Sequence, residues 1–204
     1  MSFTTYAELQ TAIAGYLARS DLTTEITDFI RLAETRLRRD LRIRQMLTSA
    51  TLTCTPAVAT VAIPSGFLQV SDFVVSGNPV QPLSYESPAL FSRNSRTMDA
   101  GKPKTYTVLA STFVLAPIPD SAITLTLVYS AAPDFLSVTN TSNTFLTVCP
   151  DLLLYASLLE AEPYLMNDAR INTWGTMFDR ALNGLTASDE QGQYSGVPLT
   201  IRAT

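Results

Sequence analysis

The chain lacks histidine altogether, and its two cysteines stand 95 positions apart. Histidine has the side-chain pKa nearest neutrality and serves Ser-His-Asp, Cys-His and histidine-metal sites, so its absence excludes these three chemistries. Cys54 and Cys149 show neither C-x-x-C nor zinc-site spacing. Because free cysteines are among the most buried residue types, we expect two core thiols, with a disulfide between them as the alternative.

Six of the fourteen basic residues are arginines in the fourteen positions from 31 to 44. On a helix, Arg31, Arg38 and Arg42 share one face, roughly opposite the apolar stripe. Acidic residues four positions away could form ion pairs with this cluster, Glu34 with Arg38 and Asp40 with Arg36 or Arg44. The cluster has no interleaved aromatic residues for base stacking, which favours a solvated or interfacial face. A nucleic-acid-binding module that uses this arginine-rich helix is the alternative.

Other patterns that could support catalysis are incomplete. Glu160 and Glu162 are two positions apart and so lie on different faces of a helix. The carboxylate pair of a glycosidase is defined by a distance in space, which a sequence does not give. The eight glycines form neither a dinucleotide nor a Walker phosphate loop. We predict no enzymatic activity, no cofactor and no metal, and an enzyme of unrecognised carboxylate type is a third hypothesis.

The composition indicates a folded protein that does not attract polyanions. Apolar residues make up 46% of the chain and charged residues 16%, against a usual charged share of ~25%, which excludes disorder as the main state. The net charge of −4 disfavours strong non-specific binding to duplex DNA. No apolar run reaches the ~18–20 residues of a membrane span, and the first residues lack signal-peptide character. We expect a chain that is cytoplasmic at synthesis and has no membrane partner.

Apolar residues at helical spacing predict two helices near each end of the chain. A capping box at Thr5–Glu8 opens the first, over about 6–19, and the second ends near Arg42. A third helix opens at Pro150 and is apolar on most sides, so we expect it to lie centrally. A fourth follows a cap at Asn167–Asp168, and its stripe comprises Ile171, Trp174, Phe178, Leu182 and Leu185.

The middle of the chain, from 47 to 130, is rich in β-branched residues and short alternations. It predicts about six strands, at 51–55, 58–63, 67–75, 106–109, 113–115 and 123–129. Gly77–Asn78 is a hairpin signal, weakened by the proline that follows. Pro88, at a first helical position, predicts a short helix over 87–98.

These elements predict an α+β subunit. Its helical part is a four-helix bundle of two N-terminal and two C-terminal helices, residues 1–46 and 131–193, with a central β-rich insertion at 47–130. One bundle is expected because neither helical pair alone can bury both its own stripe and the face from Trp174 to Leu185.

The last segment, residues 194–204, is predicted to be an extended C-terminal arm. Val197, Leu199 and Ile201 alternate in it, as expected for a strand with one apolar face. Such a segment gains backbone hydrogen bonds only by joining a strand or groove elsewhere. We expect it to dock on a neighbouring subunit or another protein, and the alternative is that it folds back on its own subunit.

Several short runs, in the same order along nearly the whole chain, resemble the tailed-bacteriophage head-to-tail adaptor, or connector, proteins. The runs are Tyr6–Gln10, Arg19–Leu22, Asp28–Glu34, Leu37–Arg42, Ile63–Leu68, Pro82-Leu83, Leu115–Pro117, Val128-Tyr129, Asn143–Leu146, Pro150–Ala161 and Tyr194–Gly196 with Arg202. Two features depart from the family's pattern. Val148-Cys149 stands where a basic or polar pair is expected, and a proline follows Gly196 in the arm.

The resemblance implies a virion structural protein without catalytic residues, made in the host cytoplasm before assembly. It implies a ring of twelve subunits beneath the portal protein that links the capsid to the tail proteins. DNA would pass through the ring without sequence-specific binding, and a weakly acidic channel would let it slide. The candidate interface residues are Arg31, Arg38, Arg42, Tyr194, Val197, Leu199, Ile201 and Arg202.

Overall fold

The computed structural model describes residues 3–77, 79–96, 98–166 and 168–194. The chain divides into a helical unit, Met1–Met46 with Pro133–Thr204, and a β unit, Leu47–Ala132. The helices are α1 (Tyr6–Leu17), α2 (Thr23–Asp40), α3 (Pro88–Ser95), α4 (Thr144–Val148), α5 (Pro150–Leu165) and α6 (Asp168–Tyr194). The strands are β1 (Leu47–Cys54), β2 (Thr60–Ala62), β3 (Phe67–Val75), β4 (Gln81–Pro82), β5 (Ser84–Tyr85), β6 (Thr105–Leu109), β7 (Thr112–Ala116) and β8 (Ile123–Ala131).

The first helix begins at the capping box that the sequence predicts. The backbone N–H of Glu8 donates to the Thr5 hydroxyl at 3.4 Å, and the Thr5 N–H donates to the Glu8 carboxylate at 3.1 Å. These bonds satisfy two backbone groups that the start of a helix leaves unpaired. The helix ends two residues before the predicted Arg19, because Ala18 adopts the left-handed conformation at φ 54°.

Helix α5 lies at the centre of the helical unit, which confirms the prediction from its apolar sequence. It contacts α1, α2, α4 and α6. Its buried side chains are Leu152, Leu153, Leu154, Ala156, Ser157, Leu158, Ala161 and Glu162. A helix with neighbours on most sides needs apolar residues on most sides, whereas a surface helix needs only a stripe.

The structure is α+β, but the predicted four-helix bundle with a central β-rich insertion is wrong. The described residues form six α-helices, and their strands form two sheets of four. In the helical unit the helices surround α5, whereas a four-helix bundle has equal members around a shared core. Helix α4 was missed because five residues are too few to show a helical period, although Phe145 and Leu146 are buried in it.

The β unit consists of two sheets that share one hydrophobic core. The strand order is β1-β8-β3-β4 in the first sheet and β2-β7-β6-β5 in the second. Neighbouring strands are antiparallel except for β5 and β6. The ring centroids of Phe73, from the first sheet, and Phe113, from the second, are 4.9 Å apart in this core.

The described residues form eight strands, whereas the sequence predicted about six. The two that were missed, β4 and β5, have two residues each, too short for an alternating pattern to register. The predicted short helix at Pro88 is confirmed as α3. Gly77, with φ 150°, lies in the loop between β3 and β4, which pair antiparallel. Asn78, the second residue of the hairpin signal, lies outside the described residues.

Candidate interaction surfaces

Two of the candidate interface arginines enclose an aromatic ring of their own chain. The guanidinium carbons of Arg31 and Arg38, on α2, lie 3.4 and 3.7 Å from the centroid of the Phe135 ring. The Arg38 Nε also donates to the carbonyl of Pro133 at 3.0 Å. Each cation–π contact contributes about 0.5–1 kcal/mol at an exposed site. The pair therefore attaches residues 133–143, which we call the connecting segment, to α2.

A buried carboxylate holds the same connecting segment. Glu34 is 1% exposed, and it accepts the N–H of Leu136 at 3.0 Å and the amide Nδ2 of Asn143 at 2.7 Å. Burial raises the pKa of Glu34, while these two hydrogen bonds and the charges of Arg31 and Arg38 act in the opposite direction. Glu34 is therefore a structural anchor, paired with backbone and amide donors.

The ion pairs predicted within α2 are wrong for Arg36 and Arg44. Arg36 pairs with Glu160 of α5 at 2.7 Å, and Arg44 pairs with Asp189 of α6 at 3.0 Å. The four-residue rule considers only neighbours on one helix, whereas here the carboxylates come from helices more than 100 positions away in the sequence. These arginines join α2 and the residues after it to the C-terminal helices.

Arg42 lies two residues beyond the end of α2, and like Arg31 it is exposed, whereas Arg38 is half-buried. The Arg42 Nη1 donates to the carbonyls of Arg38 at 3.0 Å and Leu41 at 2.7 Å. A cation at the carboxyl end of a helix complements the partial negative charge there. An interfacial role for Arg31, Arg38 and Arg42 stays a prediction.

The long helix α6 is only partly covered. Among its described side chains none is buried, and the predicted stripe of Ile171, Trp174, Phe178, Leu182 and Leu185 is half-buried. The indole of Trp174 stacks on Tyr155 at 6.4 Å and meets Tyr16 edge-on at 5.9 Å. The apolar stripe of α6 thus retains surface that a partner could bury.

Near the start of α6, Trp174 also contacts the buried Glu162 of α5. The indole N–H donates to Glu162 Oε1 at 2.8 Å, and Arg170 pairs with the same oxygen at 3.2 Å. Because Glu162 is fully buried, these two donors replace part of its lost hydration at Oε1, whereas its Oε2 is buried without a hydrogen-bond partner among the described residues.

A groove along α1 escaped the sequence analysis. It has a volume of about 670 Å³ and is lined by Phe3, Ala7, Glu8, Thr11, Ala12, Gly15 and Tyr16. The signal that could have revealed it is the set of small residues at positions 7, 11 and 15, which four-residue spacing places on one face.

The C-terminal candidate residues lie mostly beyond what the structure describes. Tyr194 is the last residue of α6, so the predicted start of the arm at 194 is wrong, because the helical backbone continues past Gln191, where the apolar period ends. Val197, Leu199, Ile201 and Arg202 lie outside the described residues. We use the name arm below for residues 195–204.

Both cysteines are free and buried, which confirms the prediction of core thiols. Burial, together with the charge of Asp151, raises the pKa of Cys149 to about 12, and burial raises the pKa of Cys54. Within the described ranges, no three or more cysteine, aspartate and glutamate side chains gather as a metal site would require. No helix in the same ranges combines the length and apolar character needed to cross a bilayer.

The surfaces and buried anchors described so far contain no recognisable catalytic arrangement among the described residues, and comparison with known proteins identifies the family of the chain. The model of one family, the SU10 adaptor protein, matches residues 4–202. The chain belongs to the SU10 adaptor protein family. The SU10 adaptors are phage head-to-tail adaptor proteins, which confirms the family resemblance seen in the sequence. As an SU10 adaptor, the chain is a structural component of a phage virion. A search of curated proteins found no match.

Proposed function

We propose that this SU10 adaptor forms a ring beneath the portal protein and joins the capsid to the tail. The observation that carries the proposal is the family match over nearly the whole chain. The half-covered stripe of α6 supports it, since a helix of 27 residues with an apolar face is stabilised when a partner covers that face.

The ring would close through head-to-tail contacts between identical subunits, in which one surface of each subunit meets a different surface of the next. We propose twelve copies, as the family resemblance implies. Arg42 and the outer sides of Arg31 and Arg38 would contribute charge to such a contact, and the arm would extend to a neighbour or to the portal. In this scheme the helical unit and the β unit act as separate domains of the subunit.

DNA would cross the ring without specific binding. The net charge of −4 supports this, because a weakly acidic ring does not retain a polyanion. The engagement of Arg31 and Arg38 with Phe135, and of Arg36 and Arg44 with carboxylates, argues against the alternative of a nucleic-acid-binding helix. The proposal includes no enzymatic role, in keeping with a family of structural adaptors.

Electron microscopy of the purified chain, alone and mixed with its portal protein, tests the proposal directly. We expect closed rings that stack coaxially on the portal. Arg42→Glu should reduce the fraction of subunits in rings, with Lys104→Glu as a charge-matched control on an exposed site of the β unit. A chain that stays monomeric with the portal at all concentrations contradicts the proposal.

A further inference from the structure

The two sheets of the β unit have four outer strands, and one of them differs from the rest. β2 has three residues, β5 has two, and β4 has two of which one is Pro82. β1 has eight residues, Leu47–Cys54, and contains no charged residue, no proline and no glycine. Proteins usually protect an outer strand by making it short or by placing charges or proline in it, because an open edge pairs with other chains. β1 has none of these protections.

The exposure of β1 agrees with an open edge. It pairs with β8 on one side and ends its sheet on the other, so alternate residues direct their N–H and C=O groups away from β8. Five of its side chains are exposed, including Leu47 at 46%. Ala50 and Leu52 face the core but are only partly buried. An added strand would therefore gain backbone hydrogen bonds and cover apolar surface.

We propose that the β1 edge of each subunit binds the arm, residues 195–204, of a second copy as an added β-strand. The proposal rests on the proposed ring, and it names the surface that receives the arm. The ten residues after α6 reach at most about 33–36 Å when extended. β1 is about 26 Å long, so the arm can cover most of it. Neither β1 nor residues 195–201 carry a charge that would oppose pairing.

The proline of the arm fixes how the added strand must be oriented. Along a strand, the N–H and C=O groups of successive residues point alternately to its two edges. Pro198 has no N–H and so fits only where its backbone points away from β1. Residues 197, 199 and 201 then direct their backbone toward β1. Their side chains, Val197, Leu199 and Ile201, share one face and can extend the core beside Ala50 and Leu52.

A second copy is the donor because each subunit carries both an open edge and an arm. Such a contact is head-to-tail, and repetition of it around an axis closes a ring. The outward-facing Pro198 also denies a further strand one hydrogen-bond donor, so addition stops after a single strand.

Two proline substitutions in the full-length chain test this orientation. Leu199→Pro removes an N–H that points toward β1, whereas Thr200→Pro removes one that points away. Hydrogen–deuterium exchange of residues 47–54 is followed at assembling and at dilute concentrations, with electron microscopy of the same samples. In the wild type and in Thr200→Pro, we expect assembly to slow hydrogen exchange at alternate β1 amides roughly tenfold or more. Leu199→Pro should lose that protection, and Leu199→Ala, which keeps the N–H, should retain part of it.

The outcomes separate this inference from the proposed function. Rings in which β1 exchanges as fast as in dilute protein overturn the inference and leave the ring proposal standing. Equal protection in Leu199→Pro and Thr200→Pro overturns it as well, because the orientation is then wrong. Protection that persists in dilute monomers shows that the donor is not a second copy. Concentration-dependent protection in complexes that are not rings supports the inference and contradicts the ring.

Discussion

Glu34 is an ionisable side chain buried at the junction of α2 and the connecting segment. Burial penalises the charged form of a carboxylate, and two donors and two nearby arginines offset part of that cost. The net result is a raised pKa. The folded chain therefore holds this proton more tightly than the unfolded chain does, and the stability of the helical unit depends on pH.

The first prediction concerns Glu34→Gln. Because the folded-state pKa lies above the unfolded value of 4.5, the free energy of unfolding of the wild type should fall as pH rises from there through the folded pKa. Glutamine does not titrate, so the variant should lose this part of the slope while keeping an acceptor for Leu136. Urea unfolding of both proteins at a series of mildly acidic pH values measures how the free energy of unfolding depends on pH. Asp28→Asn, exposed on the same helix, is the control, and an unchanged slope in Glu34→Gln would refute the assignment.

The second prediction concerns Trp174→Phe. The phenyl ring keeps aromatic contact with Tyr155 but removes the hydrogen bond to the buried Glu162. Because Oε1 still pairs with Arg170, the expected loss is that of one hydrogen bond, about 0.5–1.5 kcal/mol of unfolding free energy. Chemical denaturation measures the loss. The double variant with Glu162→Gln should recover part of it, and strictly additive losses would mean that the two residues are not coupled.

At the scale of elements, the connecting segment depends on contacts from α2. Its residues Phe135, Leu136 and Asn143 are each held by α2 side chains that lie about a hundred positions earlier. An irregular segment without such anchors opens more readily than the helices around it. The clasp by Arg31 and Arg38 therefore sets how often this segment opens.

The third prediction is that Phe135→Leu loosens the connecting segment without unfolding the helices. Leucine retains apolar bulk but removes both cation–π contacts, which together are worth about 1–2 kcal/mol. Hydrogen exchange should accelerate at residues 133–143 and stay unchanged in α5. Arg39→Ala, which changes an exposed arginine on α2, provides the control. Faster exchange at residues 133–143 in this control as well would indicate a general loss of helix stability.

The sequence was sufficient for elements whose apolar period is long. The stripes of α1 and α2, the capping box at Thr5 and the central position of α5 all follow from local spacing. It was insufficient for α4 and for the two-residue strands, which contain less than one period. The shared face of Arg31 and Arg38 was also predictable, but their partner Phe135 was not, because a contact across a hundred residues leaves no local pattern.

At the scale of the whole molecule, the sequence predicted only part of each candidate surface, the β1 edge with its arm and the apolar stripe of α6. The alternation in the arm predicted a docking segment, yet the receiving edge of β1 emerges only when the strands are ordered into sheets. The stripe of α6 was predicted to be buried in a bundle and is half-buried. An amphipathic pattern shows that an apolar face must be buried. It does not show whether the same chain or another one buries it.

The fourth prediction is that removal of residues 195–204 separates stability from assembly. The thermal midpoint of the subunit should change little, because a docked arm contributes only after assembly. Attachment to the portal or to neighbouring subunits should weaken. Calorimetry and sedimentation of the truncated and full-length chains measure the two effects. A truncated chain that unfolds markedly earlier yet assembles normally would show that the arm is a structural part of its own subunit.

The fifth prediction is that the isolated chain binds duplex DNA weakly even at low salt. Its acidic balance and its engaged arginines leave few cations for phosphate contacts. Fluorescence anisotropy across a salt series measures the affinity. Sub-micromolar binding that falls steeply with salt would instead favour the nucleic-acid-binding hypothesis.

The burial of both native thiols has a practical consequence for spectroscopy. Thiol-reactive dyes attack the thiolate, and a pKa of about 12 leaves almost none of it at Cys149. Cys54 is shielded in the core of the β unit. A cysteine introduced on the surface outside β1, such as Ser121→Cys in the exposed loop before β8, can therefore be labelled selectively in the otherwise wild-type chain. Fluorophore or spin-label distances can then be measured during assembly without first building a cysteine-free background.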